Sequence, residues 1–210
     1  MGKIGLLFDL DGVVMDTETG YTTFWEKIDK IYPTGVDDFT HKVKGMNLAS
    51  IISYFPTQFH QPVLQKLQYH EQTMTYDIFP DALRFINQAR TAEIPIALVT
   101  SSGKQKLSRI NSVHPNFFKL FDAIVTGDMV THTKPHPECF LIGARKIDVN
   151  ITKCIVFEDS LNGIAAGIAS GAKVVALTTT FPTEIKTTKA DKFIDSFAGF
   201  QICDLYKLFT

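Results

Sequence analysis

The sequence predicts an α/β protein built on an open parallel sheet, with a helical unit inserted after the first strand. Three observations carry this reading. Five short apolar runs punctuate the chain of 210 residues, helical periodicities lie between them, and residues 17–77 show helical stripes but no convincing strand.

The apolar runs are Ile4–Phe8, Ile94–Val99, Ala123–Val125, Cys154–Phe157 and Val174–Leu177. Each is short and rich in β-branched residues or leucine, as expected of parallel strands covered on both faces. Between them, Ala82, Phe85, Ile86 and Ala89 recur at i, i+3, i+4 and i+7, and Leu161, Ile164, Ala165 and Ile168 form a second helical stripe. Gly171 then supplies a C-terminal cap. Strands alternating with helices imply right-handed crossovers and a sheet covered on both sides. Inside 17–77, Tyr21, Phe24, Trp25, Ile28 and Ile31 form one stripe, stopped by Pro33-Thr34-Gly35. Further helices are expected near Ser50–Phe55 and Val63–Met74. These stripes speak for packing: Phe24 and Trp25 read as core of the insert, and His70 and His136 as surface residues rather than ligands. The expected division is a core of residues 1–16 and 78–210 and a helical cap of residues 17–77.

Bulk properties narrow the class of function. A chain of this length buries roughly 70% of its surface on folding, so a full hydrophobic core is available. Hydrophobic residues make up 45%, charged residues 20%, and the formal net charge is −1. No long basic run is present, so the electrostatic footprint of a nucleic-acid binder is missing. No window approaches the ~20 apolar residues of a membrane span, and the apolar stretch at the N-terminus is too short for a signal peptide. Cys139, Cys154 and Cys203 are odd in number, far apart and not arranged as CxxC, which argues against a disulfide framework or a zinc site. A reducing, cytoplasmic setting and a monomeric chain are expected.

Four strand ends carry the chemistry. The first strand ends in Phe8-Asp9-Leu10-Asp11-Gly12-Val13. Ligands of an α/β sheet bind beyond the carboxyl ends of its strands, and Gly12 lets the chain turn there. Two neighbouring carboxylates repel, and a divalent cation relieves them. The second strand ends in Val99-Thr100-Ser101-Ser102-Gly103-Lys104, where hydroxyls and backbone N–H groups before a helix form an anion cradle, although Thr and Ser also serve as ordinary helix caps. In Thr133-Lys134-Pro135-His136-Pro137-Glu138 the prolines bias Lys134 toward extended geometry, so a cation is held in place. The fourth strand ends in Val156-Phe157-Glu158-Asp159-Ser160, again with two acids directly after an apolar run, where Asp159 can equally cap the next helix. Taken together, these ends supply a nucleophile, a metal site and a phosphate pocket on one edge of the sheet.

In Asp9-Leu10-Asp11-Gly12-Val13-Val14, Thr100-Ser101, Lys134-Pro135 and Glu158-Asp159-Ser160-Leu161-Asn162-Gly163, the chain resembles the haloacid dehalogenase superfamily, over essentially its whole length. It is most similar to the β-phosphoglucomutase-like branch, which carries a helical cap between the first two motifs. The resemblance implies a Rossmann-like, three-layer core with strand order 5-4-1-2-3 and catalysis through an aspartyl-phosphate. It implies Asp9 as nucleophile and Asp11 as acid and base. Thr100, Ser101 and Lys134 would bind the phosphoryl group. Asp9, Asp11, Glu158 and Asp159 would hold Mg²⁺. The implied substrate is a small phosphate monoester, a sugar or polyol phosphate. Mutases of the branch carry a histidine where this chain has Tyr21 and a cap arginine where it has Leu48, so phosphatase is favoured over hexose phosphomutase. A phosphate-responsive regulatory module is the non-enzyme alternative, disfavoured by Asp11 and the sizeable cap. Cap residues near Asp16–Glu18, Lys44–Asn47 and Thr73–Asp77 are expected to approach the substrate.

Overall fold

The computed structural model describes residues 3–44 and 46–210; Met1, Gly2 and Gly45, the last within the expected Lys44–Asn47 stretch, lie outside the described residues. Strand β1 (Gly5–Phe8) is followed by β2 (Met15–Asp16), then by helices α1 (Glu18–Ile31), α2 (Phe39–Val43), α3 (Leu48–Ile52) and α4 (His60–Thr73), and by β3 (Asp77–Ile78). The remainder alternates: α5 (Pro80–Thr91), β4 (Ile96–Val99), α6 (Lys104–Val113), β5 (Ala123–Val125), α7 (Glu138–Lys146), β6 (Cys154–Glu158) and α8 (Leu161–Ser170). It closes with β7 (Lys173–Leu177), β8 (Lys192–Ile194) and α9 (Ile202–Lys207).

Six strands form one parallel sheet in the order β5-β4-β1-β6-β7-β8. Counting the five predicted strands in chain order as β1, β4, β5, β6 and β7, the expected order 5-4-1-2-3 is present, and the sheet differs from it by β8, which pairs with the outer edge of β7. Sequence reasoning missed β8 because Lys192-Phe193-Ile194 is a half-exposed edge with no apolar run, as edge strands tend to be.

The strands alternate between two buried faces, as the period of two requires. Leu6 and Phe8 of β1, Ile96 and Leu98 of β4, and Ile155 and Phe157 of β6 face one cluster, beneath Phe85 and Ile86 of α5 and Leu205 of α9. Leu7, Ala97, Val99, Cys154 and Val156 face the other, beneath Phe140 of α7 and Ile164 of α8. Phe8 stacks on Phe157 with centroids 4.6 Å apart, so the two strand ends that carry acids are locked side by side. The three cysteines are free, with Cys139 and Cys154 buried and Cys203 exposed.

Helices α1 to α4 bury a third cluster of their own, including Phe24, Trp25, Ile28, Phe39, Phe55, Val63 and Leu67. Phe24 and Trp25 are core, as predicted, whereas Ile31 is 55% exposed and leaves the predicted stripe. His70 is not the surface residue expected: its ring stacks on Phe24 at 4.8 Å, and its Nε2 is buried without a hydrogen-bond partner among the described residues. The antiparallel pair β2–β3 brackets this segment through Met15↔Ile78 and Asp16↔Asp77, so the chain leaves and re-enters the sheet region side by side. Among the described residues no helix is long and apolar enough to cross a membrane.

Candidate active site

All the acids predicted from the sequence converge at the carboxyl edge of the sheet. Asp9 follows β1 directly, and Glu158 ends β6 with Asp159 next to it; the three are buried at 7%, 1% and 3% exposure. Gly12 makes the turn after Asp11 with φ +71°, and a Cβ there would collide with the Asp159 carboxylate. Only glycine meets both demands. Gly163, in the first turn of α8, leaves room in the same way for the Glu158 carboxylate.

Lys134 enters from the loop before α7 and stands between two of these acids, 2.5 Å from Asp9 Oδ1 and 2.6 Å from Glu158 Oε1. Its peptide bond to Pro135 is cis. Glu158 Oε2 accepts the N–H groups of Asp159 and Ser160, each at 2.9 Å, so Glu158 ties Lys134 to the start of α8. Thr180 Oγ1 donates to Asp159 Oδ2. Asp9 and Glu158 thus share one ammonium group, while Asp159 beside them has a hydroxyl partner but no cation. Burial pushes the Asp9 carboxyl up to about 7 against the pull of Lys134, with Glu158 and Asp11 adding to the rise. Burial, with Glu158 and Asp9 beside it, raises Asp159 well above the usual range. The Lys134 ammonium is raised in turn: Asp9 and Glu158 outweigh its burial.

Asp11 lies in a different setting. Its Oδ1 faces Lys106 Nζ at 2.5 Å and accepts the Thr17 hydroxyl, and its Oδ2 accepts the Ser102 hydroxyl at 2.9 Å. Burial would raise its carboxyl, but Lys106 and these hydroxyls hold it below the usual carboxylate range. Lys106 also lies over the Tyr21 ring at 4.4 Å, and Tyr21 OH donates to Glu71 at 2.8 Å, so a polar chain runs from Asp11 to α4.

A cavity of about 1170 Å³ joins both groups. Asp9, Asp11, Ser101, Lys134, Glu158 and Asp159 line it from the sheet; Glu18, Tyr21, Lys44, Asn47 and Leu48 line it from the helical segment. Two of the three stretches expected near the substrate therefore contribute to the cavity lining, while Thr73–Asp77 does not among the described residues. Thr100 also stays behind the lining: it is 2% exposed, and its Oγ1 accepts the Ser102 N–H at 3.0 Å. Glu18 and Lys44 face each other at 3.9 Å, and burial, with Asp11 nearby, pushes Glu18 up to about 7.

Sequence reasoning missed Lys106, Thr17, Ser102 and Thr180. A signal for Lys106 existed: it sits in the first turn of α6, and helical side chains slant toward the N-terminus, here toward the end of β4.

A family profile described as haloacid dehalogenase-like hydrolase matches residues 5–171. The chain belongs to the haloacid dehalogenase-like hydrolases. It is 28% identical to a probable pseudouridine-5'-phosphatase of Drosophila melanogaster, over 93% of this chain and 90% of that protein. It is also 28% identical to a fructose-1-phosphate phosphatase of Escherichia coli, over 81% of this chain and 94% of that protein. Among solved structures, a β-phosphoglucomutase from Clostridium difficile shares the fold, with a TM-score of 0.80, 22% identity and coverage of 99% and 97%.

Proposed function

We propose that this hydrolase is a phosphatase for a small phosphate monoester, a sugar or polyol phosphate, and that it works through an aspartyl-phosphate on Asp9. The observation that carries this is the pair Asp9 and Asp11 at the end of β1, one against Lys134 and the other against Lys106, both opening on one cavity. Asp9 Oδ2, the oxygen not bonded to Lys134, attacks phosphorus in line with the ester oxygen. Asp11 protonates the departing alkoxide and afterwards takes a proton from the water that attacks the phosphoenzyme. Lys134 and the backbone around Ser101 hold the transferred oxygens, since phosphoryl transfer asks mainly for position and neutralised charge. Thr100 supports this cradle from behind through its bond to Ser102.

The site also suits Mg²⁺. Its donors are all oxygens, and the excess of buried carboxylate over ammonium calls for a cation. Asp9 and Asp159, with the Asp11 carbonyl, would hold the ion, and Glu158 would support the set through Lys134 and α8. Bound there, Mg²⁺ supplies charge neutralisation for the phosphoryl oxygens.

Residues 17–77 act as a cap on a core of residues 1–16 and 78–210, with β2–β3 as the double connection. Their own apolar cluster lets them move as a unit, and their Glu18, Lys44 and Asn47 meet the leaving group. Tyr21 and Leu48 stand in the lining without the imidazole or guanidinium that would retain a bisphosphate.

A phosphate-release screen over sugar, polyol and nucleoside monophosphates, with Mg²⁺ and with chelator, tests this reading. Glucose 1-phosphate with catalytic glucose 1,6-bisphosphate runs beside it. Metal-dependent release from one class, without isomerisation, is expected; isomerisation without release would replace the phosphatase with a mutase.

A further inference from the structure

The loop that carries Lys134 has a second group of ligating side chains on its outer side. His132, His136 and Glu138 each bring one nitrogen or carboxylate oxygen into a set whose members all lie within 4.8 Å of one another. None of the three lines the active-site cavity, although Thr133 and Lys134 between them do. From the sequence, the cysteines argued against a zinc site and His136 was expected to be a surface residue rather than a ligand; this group uses no cysteine and is made of imidazole and carboxylate.

The carboxylate is held in place before any ligand arrives. Glu138, in the first turn of α7, accepts the Thr131 N–H at 3.0 Å and the His132 N–H at 2.8 Å. His132 Nδ1 lies 3.0 Å from Glu138 Oε2, and His136 Nδ1 lies 4.0 Å from that same oxygen. The two imidazole rings stand 4.6 Å apart. A tetrahedral zinc ion with bonds of about 2.0–2.1 Å separates its ligand atoms by about 3.4 Å, and 3.0 and 4.0 Å bracket that value. Rotation of two exposed rings is enough to close the set. What must yield is the His132–Glu138 contact and a long 3.3 Å bond from the Glu138 N–H to His136 Nδ1, both exposed and therefore weak.

We propose that His132, His136 and Glu138 form a surface site for a borderline divalent transition-metal ion such as Zn²⁺, separate from the carboxylate cluster at Asp9. Two imidazoles and one carboxylate select such an ion over Mg²⁺, which prefers an all-oxygen shell. Three protein ligands leave the fourth position to water. The ion joins residues on either side of Lys134 to the start of α7, and so clips the loop that delivers this lysine.

Calorimetric titration of tag-free, full-length protein with ZnCl₂ in excess Mg²⁺ tests the site. Wild type is expected to bind one Zn²⁺ per chain and to melt at a higher temperature with it. The double variant His132→Ala/His136→Ala is expected to lose at least about 100-fold in affinity, more than the loss of an outer-shell partner brings. Both histidines are exposed, so the variant keeps its fold, which its unchanged melting temperature without Zn²⁺ verifies. Cys203→Ser and Asp159→Asn should bind as wild type does. Equal affinity in wild type and the histidine variant, or no saturable binding by wild type, overturns the proposal. The readout is binding, so failure of the phosphatase reading leaves it untouched.

Discussion

At the strand ends, Lys134 is closed in between Asp9 and Glu158, and its side chain is 3% exposed. Across the cavity, Lys106, its side chain 8% exposed, meets Asp11, whose side chain is 19% exposed, and leans on Tyr21 from the helical segment. One lysine is wedged among backbone-anchored acids; the other reaches its acid from a helix and touches a side chain of the inserted unit. Under the proposed function, the first arrangement fixes charge for the phosphoryl oxygens. The second links Asp11, the proposed acid–base residue, to Tyr21 of the helical segment.

This contrast gives three ways to break or sharpen it. The largest effect belongs to Lys134→Met, which strands Asp9 and Glu158 without their shared cation. Losing one partner of a buried ion pair costs about 3–5 kcal/mol, so chemical denaturation in Mg²⁺-free buffer should show a loss of that order, with phosphate release down at least about 100-fold. Wild-type stability in this variant would mean that Lys134 is no buried anchor.

Lys106→Met comes next: it should cost less stability than Lys134→Met, because Asp11 keeps the Thr17 and Ser102 hydroxyls, and it should be visible in the pH profile. With Lys106 gone, burial dominates at Asp11 and its carboxyl rises. A general acid works below its pKa, so the alkaline limb of kcat moves to higher pH. Lys106→Arg should restore the limb. An unmoved limb in the Met variant severs the link between Lys106 and the acid.

The smallest effect is at Glu18, whose carboxyl is raised to about 7 by burial and by Asp11. The folded protein then binds more protons at this residue than the unfolded chain does, so its contribution to stability falls as pH rises from about 4.5 to about 7. Glu18→Gln is therefore expected to stabilise the Mg²⁺-free protein by roughly 1–3 kcal/mol at pH 8 and to do little at pH 4.5, as melting curves would show. A gain independent of pH would assign the effect to lost repulsion elsewhere.

What the sequence made legible follows the same division. Asp9, Asp11, Glu158 and Asp159 could be placed because they follow apolar runs, and Lys134 because it precedes a proline; parallel strands bring their carboxyl ends together whatever covers them. The roof could be predicted only as helices. Which residues look down from it depends on how α1, α3 and α4 dock, and that is set by contacts such as Trp25 with Phe39 and Phe55 that no local pattern encodes. Thr100 shows the limit from the other side: it follows β4 directly, but its hydroxyl oxygen is engaged by the Ser102 N–H, and Ser102 donates to Asp11. His70 was misread because stacking on Phe24 claims a polar ring, and β8 was missed because an exposed edge strand pairs without an apolar run.

The most direct test of the chemistry is rapid-quench turnover with radiolabelled substrate and Mg²⁺, in wild type and in Asp9→Asn. The expected result is a hydroxylamine-labile phosphate on the peptide that contains Asp9, absent from the variant, with phosphate release by the variant reduced at least about 1000-fold. Release by pure Asp9→Asn at the wild-type rate would contradict the assignment of Asp9 as the nucleophile.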